Sequence, residues 1–207
     1  MLMKAVLDSE LREQIYYVNI GRGVETLFNW RNPNASSTFN QIDVIGARNY
    51  PKNVAHYVHL KKPDYKIVFR KLKFTDGAQE PVIFIVSGGS ECQYQVLEAF
   101  IEYLMGKWQE VYGDTIVGAS YSGELFDGFD VAVDGAFDDV PQTHLSKVRA
   151  HCRICDKDYE IYVRKSLVDN APSSPVALVF EHEDHALLLY IDKQFVVRGE
   201  NVVEITG

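Results

Sequence analysis

A chain of 207 residues, 46% hydrophobic and 24% charged, has the composition of a globular protein with one large domain, or one domain and a small one. The net charge of −8 and the lack of a basic stripe argue against sequence-independent nucleic-acid binding. Apolar runs fall far short of the roughly 20 residues needed to span a bilayer, so no transmembrane segment is expected. Met1 to Leu7 is followed at once by Asp8, Glu10 and Glu13, too short and acidic a start for a signal peptide. The three cysteines do not make a disulfide framework, and a cytoplasmic protein is the expectation.

Ile15 to Ile20 and Val24 to Trp30 are β-rich runs around Gly21-Arg22-Gly23, the pattern of a hairpin. Residues 31–38 are a loop by composition. Residues 39–60 are ambiguous: Phe39 to Ile45 fits a short helix or a strand, and Gly46, Pro51 and Pro63 break anything longer.

From Tyr65 the signals sharpen. Tyr65 to Phe74 reads as a strand and Thr75-Asp76-Gly77 as a turn. Pro81 to Val86 is a continuous apolar run, as expected of a strand buried on both faces. Ser87-Gly88-Gly89-Ser90 leads into a helix over 91–112, whose Leu97, Phe100, Ile101, Leu104, Trp108, Val111 and Tyr112 share one face. Ser90 and Gln93 fit a capping box, and Gly113 fits a stop. A second helix is expected over 123–139, ended by Pro141. Phe126, Phe129, Val133, Ala136, Phe137 and Val140 make its apolar face; Glu124, Asp127, Asp130, Asp134, Asp138 and Asp139 occupy the rest, with no Lys or Arg among them.

After His144 the texture turns to β. Tyr159 to Val163 alternates, and Pro175 to Phe180 and Ala186 to Ile191 flank Glu181-His182-Glu183-Asp184-His185 as a hairpin would. Gln194 to Arg198 and Asn201 to Ile205 read as a last strand pair around Gly199. These patterns predict an α+β protein: residues 1–142 form an antiparallel sheet with packed helices, an arrangement that resembles longin-like or profilin-like domains, and 143–207 form a small β-rich module.

Lys66 to Phe69, Val82 to Val86, the Ser87 to Glu91 turn, the helix carrying Phe100-Ile101-Glu102-Tyr103-Leu104, then Glu124 to Asp130 and Asp139-Val140-Pro141-Gln142-Thr143 resemble the longin-like domains of vesicle-trafficking adaptor and coat small chains. The resemblance covers residues 65–143. Residues 31–60 depart from it by lacking the clean first helix of such domains, and the tail is foreign to them. The resemblance implies a non-catalytic scaffold that binds protein partners, often small GTPases or other longin-like or roadblock-like subunits.

Cys152-x-x-Cys155 is half a zinc site, because two thiolates on a tight knuckle can reach one ion. His182 and His185, in a hairpin turn, are the candidates for the other half, and His151 is a further contributor to weigh. Reduced thiols beside exposed turn histidines are the plain alternative. A thioredoxin-like redox role lacks the strand–motif–helix context, since a turn and a strand follow Cys155. Cys92, near a helix start, is read as structural rather than nucleophilic. His56 and His59 read as surface decoration, and the Ser87–Ser90 turn as capping rather than anion binding.

Two functions follow from different classes. The leading one is a non-catalytic adaptor, docking a partner through Asp127, Asp130 and Asp134 with Phe126 and Phe137 as apolar rim groups. The alternative is a metal-dependent or anion-binding enzyme using the Cys/His set or the Ser87–Ser90 turn.

Overall fold

The computed structural model describes residues 11–33, 41–48, 56–72, 80–113, 123–182 and 185–204. The architecture is α+β, with antiparallel sheets and helices packed on them. The chain divides into two compact units, Met1–Pro141 and Gln142–Gly207. Among the described residues no helix is long and apolar enough to cross a membrane.

In the first unit, β1 (Ile15–Arg22) and β2 (Glu25–Arg31) form the expected hairpin. Its turn contains Gly23 at φ +56°, a left-handed conformation that costs glycine little. β3 (Val58–Lys61), β4 (Tyr65–Leu72) and β5 (Val82–Gly89) complete a five-stranded antiparallel sheet in the order β2-β1-β5-β4-β3. β5 is central and buried along its whole length, which explains its unbroken apolar run. The stretch 39–60 contains both a helix, Gln41–Arg48, and β3. Val44 and Ala47 of that helix are buried with Tyr17, Ile67, Phe69, Ile83 and Ile85 on one face of the sheet.

The long helix Tyr94–Tyr112 buries Leu97, Phe100, Ile101, Leu104 and Trp108, while Val111 is 57% exposed. Trp108 meets Phe84 of the sheet edge-on at 5.9 Å between ring centroids. Its start differs from expectation. β5 continues through Gly89, Cys92 N–H bonds to Gly89 O, and the helix begins at Tyr94 after Gln93. Ser90 Oγ instead lies 3.3 Å from the Glu91 carboxylate, so the Ser90–Gln93 capping box does not form. Gly113 follows the helix in a right-handed conformation, its N–H bonded to Gln109 O, so it extends the last turn instead of breaking it.

Ser87, Gly88 and Gly89 sit inside the ladders with β1 and β4, and Ser87 is fully buried. They cannot cradle an anion as a free turn. The glycines serve close packing instead: a Cβ on Gly88 would lie 2.9 Å from Gln14 O and 3.0 Å from Leu97 Cδ2, and one on Gly89 would lie 2.8 Å from the Tyr16 hydroxyl. The turn expected at 75–77 lies outside the described residues.

The second helical segment opens as a 3₁₀ helix, Gly123–Phe129, and continues as an α-helix, Asp130–Thr143, with Pro141 inside its last turn. Pro141 therefore does not end the helix at 139, although it lacks the N–H that would bond Phe137 O and its ring crowds that carbonyl.

The second unit is β-rich. β6 (Leu145–Cys152) pairs with β7 (Lys157–Arg164), and a short helix, Lys165–Asp169, follows. β8 (Val176–His182), β9 (His185–Ile191) and β10 (Val197–Glu204) make a three-stranded sheet in the order β10-β9-β8. Val148, Ile161 and Val163 from the pair join Leu178, Leu187 and Leu189 from the sheet in one core. The expected strand pair around Gly199 is a single strand. The register with β9 shifts between Val197 and Gly199, so the glycine marks a bulge and not a turn.

Candidate metal centre

The sulfur atoms of Cys152 and Cys155 and a ring nitrogen of His182 lie within 4.8 Å of one another. Three donors at that separation surround a volume one metal ion can fill. Cys152 ends β6 and is fully buried; Cys155 is half-buried in the turn 153–156. Asp156, at φ +52°, takes the left-handed conformation that reverses the chain into β7. His182 ends β8 on the edge of the same core, 9% exposed. All three cysteines of the chain are reduced.

Two rings hold the imidazole. Tyr159 lies 4.3 Å and Phe180 5.7 Å from the His182 ring centroid. Both follow from strand periodicity. Phe180 is two residues before His182 and shares its face, and Tyr159 pairs across the ladder with Ala150, two residues before Cys152. The Tyr159 hydroxyl also lies 3.3 Å from Cys155 Sγ. Sequence reasoning missed Tyr159, whose place beside the cluster depends on the β6–β7 register.

His185 is paired with His182 in the β8–β9 register, which brings its backbone beside the cluster; its side chain lies outside the described residues. His151 is on the opposite side of β6 from its neighbour Cys152, as alternation requires. Its Nδ1 is 2.9 Å from Asp158 and its Nε2 3.4 Å from Asp156, and the Asp158 hydrogen bond is the main cause of its raised pKa. It is not brought to the sulfurs.

The other candidates fall in the first unit. Phe126 and Phe137 are fully buried, so neither is the apolar rim group proposed for them. Phe126 stacks on Trp108 at 4.8 Å, and Phe137 meets Phe100 at 5.1 Å. Phe126 and Phe129, three apart in the 3₁₀ segment, and Val133 and Phe137, four apart in the α-helix, turn to the core while the carboxylates face out. Asp127, Asp130 and Asp134 are exposed, with Leu125 and Val131 exposed among them at 44% and 73%. The stripe does have a neighbouring base: Arg12 lies 3.1 Å from the Asp134 carboxylate and over the Phe137 ring.

Cys92 is fully buried, and burial pushes its thiol up to about 12, against a smaller opposing pull from Lys66. A thiol held protonated is a structural group, not a nucleophile. His59 does more than decorate the surface. Its Nε2 is 2.6 Å from the buried carboxylate of Glu98, and its ring lies 4.6 Å from Tyr94.

No family model matches the chain. A protein named cobalamin biosynthesis protein CbiHC, from Archaeoglobus fulgidus, is 28% identical over 131 residues, covering 61% of this chain and 29% of that protein. The chain thus spans less than a third of that relative's length.

Proposed function

We propose that the chain is a non-catalytic protein-interaction adaptor: a longin-like first unit that docks a partner, and a second unit held by one zinc ion. The observation that carries this reading is the outer face of the segment 123–143. There, exposed Asp127, Asp130 and Asp134 alternate with Leu125 and Val131, while Phe126, Phe129, Val133 and Phe137 anchor the inner face in the core. A rigid helix that presents charge and uncovered apolar groups together can steer a partner electrostatically and then bind it by burial. A hairpin, a helix, three more antiparallel strands and two C-terminal helical segments give support to the longin-like reading. That reading implies a small GTPase or a longin-like or roadblock-like subunit as partner.

Zinc is the ion the ligands select. Two thiolates and an imidazole are soft, nitrogen–sulfur ligands suited to tetrahedral zinc, whereas calcium and magnesium prefer oxygen. His185 is the proposed fourth ligand, closing a structural site. The ion would tie the β6–β7 knuckle to the β8–β9 hairpin in a unit too small to build a deep core unaided.

A pull-down with the full chain, repeated with Leu125→Ala/Val131→Ala, tests the adaptor reading. A partner captured equally by both proteins, or by neither, would count against it.

Two observations favour a metal-dependent enzyme as the second reading. The three described ligands leave a fourth position, and the Archaeoglobus protein is named for cobalamin biosynthesis. An exchangeable water on the bound metal would favour the enzyme; a closed four-ligand site would favour the adaptor.

A further inference from the structure

We infer that Tyr159 is a positioning residue of the metal centre, donating its hydroxyl proton to the Cys155 sulfur and holding the His182 ring at the angle a metal needs. The inference rests on the proposal that this cluster binds metal. Cys155 is the more exposed of the two sulfurs, and it sits in a turn, not in a strand. A thiolate there can rotate away and is open to water. The Tyr159 hydroxyl, 3.3 Å away, limits that freedom. In the reduced, metal-free site either group can be the donor; once the sulfur is a thiolate it can only accept, so the phenol must donate. The same ring lies 4.3 Å from the His182 centroid and 5.7 Å from the Phe180 centroid. One side chain therefore fixes a ligand from each of the two hairpins.

Outer groups of this kind orient metal ligands, and their loss typically weakens metal binding about 10- to 100-fold. Tyr159→Phe removes the hydroxyl and keeps the ring on His182. Phe180→Leu removes the ring that packs on both His182 and Tyr159 and keeps the Tyr159 hydroxyl.

The test uses the full chain, stripped of metal under reducing conditions and titrated with cobalt(II) alone. Thiolate-to-cobalt charge-transfer absorption reports the sulfur ligands, and competition with a chelator gives the affinity. The expected result is one cobalt per chain in the parent protein. Tyr159→Phe should bind it at least about ten-fold more weakly, with a shifted charge-transfer band and an unchanged metal-free melting temperature. Equal affinity and an identical band in Tyr159→Phe would overturn the positioning role and leave the metal reading standing. A charge-transfer band altered as much by Phe180→Leu would overturn it too, since packing alone would then account for the effect. No cobalt binding by the parent protein would overturn both.

Discussion

Trp108 stacks on Phe126, ring planes 22° apart and centroids 4.8 Å apart, and this contact joins the long helix of the first unit to the 3₁₀ segment that follows. Phe129 and Tyr112 close in on Trp108 at 5.0 and 4.7 Å. The 3₁₀ start of the acidic stripe is thus seated on this indole, while Phe137 against Phe100 seats the α-helix that carries the rest.

Trp108→Ala should therefore cost about 3–5 kcal/mol, the usual range for deleting a buried aromatic. Urea denaturation followed by circular dichroism measures it. A loss under about 1 kcal/mol would mean the aromatic cluster collapses around the gap, which its close packing argues against.

Zinc bound as proposed should appear as about one ion per chain by elemental analysis of protein purified without chelator. Cys152→Ser should remove the ion and lower the melting temperature of the second unit. A metal-free parent protein whose Cys152→Ser variant melts at the same temperature would end the zinc proposal.

Substituting Asp127 and Asp130 by Asn should slow association with a captured basic partner and flatten its salt dependence, at a stability cost under about 1 kcal/mol, since Asp130 sits in the first turn of its α-helix and accepts from the Val131 N–H. Asp134 is a poorer choice, because Arg12 already neutralises part of its charge and its loss would disturb that ion pair. Stopped-flow association at two salt concentrations decides the matter. Unchanged rates would reduce the stripe to a solubilising surface.

Asp192 offers a pH test within the second unit. Its Oδ1 accepts from the backbone N–H groups of Val196 and Gln194, each at 2.9 Å, and Oδ2 accepts from Arg198. These bonds, Val196 first, hold its pKa below the ordinary value of 3.8. A carboxylate with a lowered folded pKa contributes stability that is complete above its unfolded value and is lost as pH falls through the folded one. Asp192→Asn should melt lower than the parent protein at pH 7, with the gap closing below about pH 4. A gap constant from pH 7 to pH 3 would show that shape, not charge, makes the contribution.

Much of this was legible in the sequence where a period ran long enough to be counted. The face of the long helix was visible from Leu97 to Trp108, and the burial of β5 from its unbroken apolar run. The helix at 41–48 was not, because eight residues with Gly46 among them and Pro51 close behind give too few turns to separate a helix from a strand. Phe126 and Phe137 show a different limit. Periodicity places them opposite the carboxylates but does not say which side the core will take, and the proposed docking role chose the wrong one. For the candidate metal cluster, local spacing pointed to the cysteine pair and the hairpin pattern to His182, and the structure brings these three together. Tyr159 stayed hidden because its value depends on the β6–β7 register, which only the paired strands display. Gly88 and Gly89 misled for a related reason: what they accommodate, Gln14 and Tyr16, comes from a distant part of the chain.

The ligand cluster draws on two hairpins, with Cys152 and His182 thirty positions apart. The two sulfurs come from one turn of chain, whereas the histidine arrives only when β8 has packed against β6 and β7. An ion caught early in folding would be held by sulfur alone, weakly and exchangeably, until β8 had folded back against β6 and β7. Metal retention would then act as a record of assembly order: a chain that keeps its ion through a brief chelator pulse is one whose two hairpins have already met.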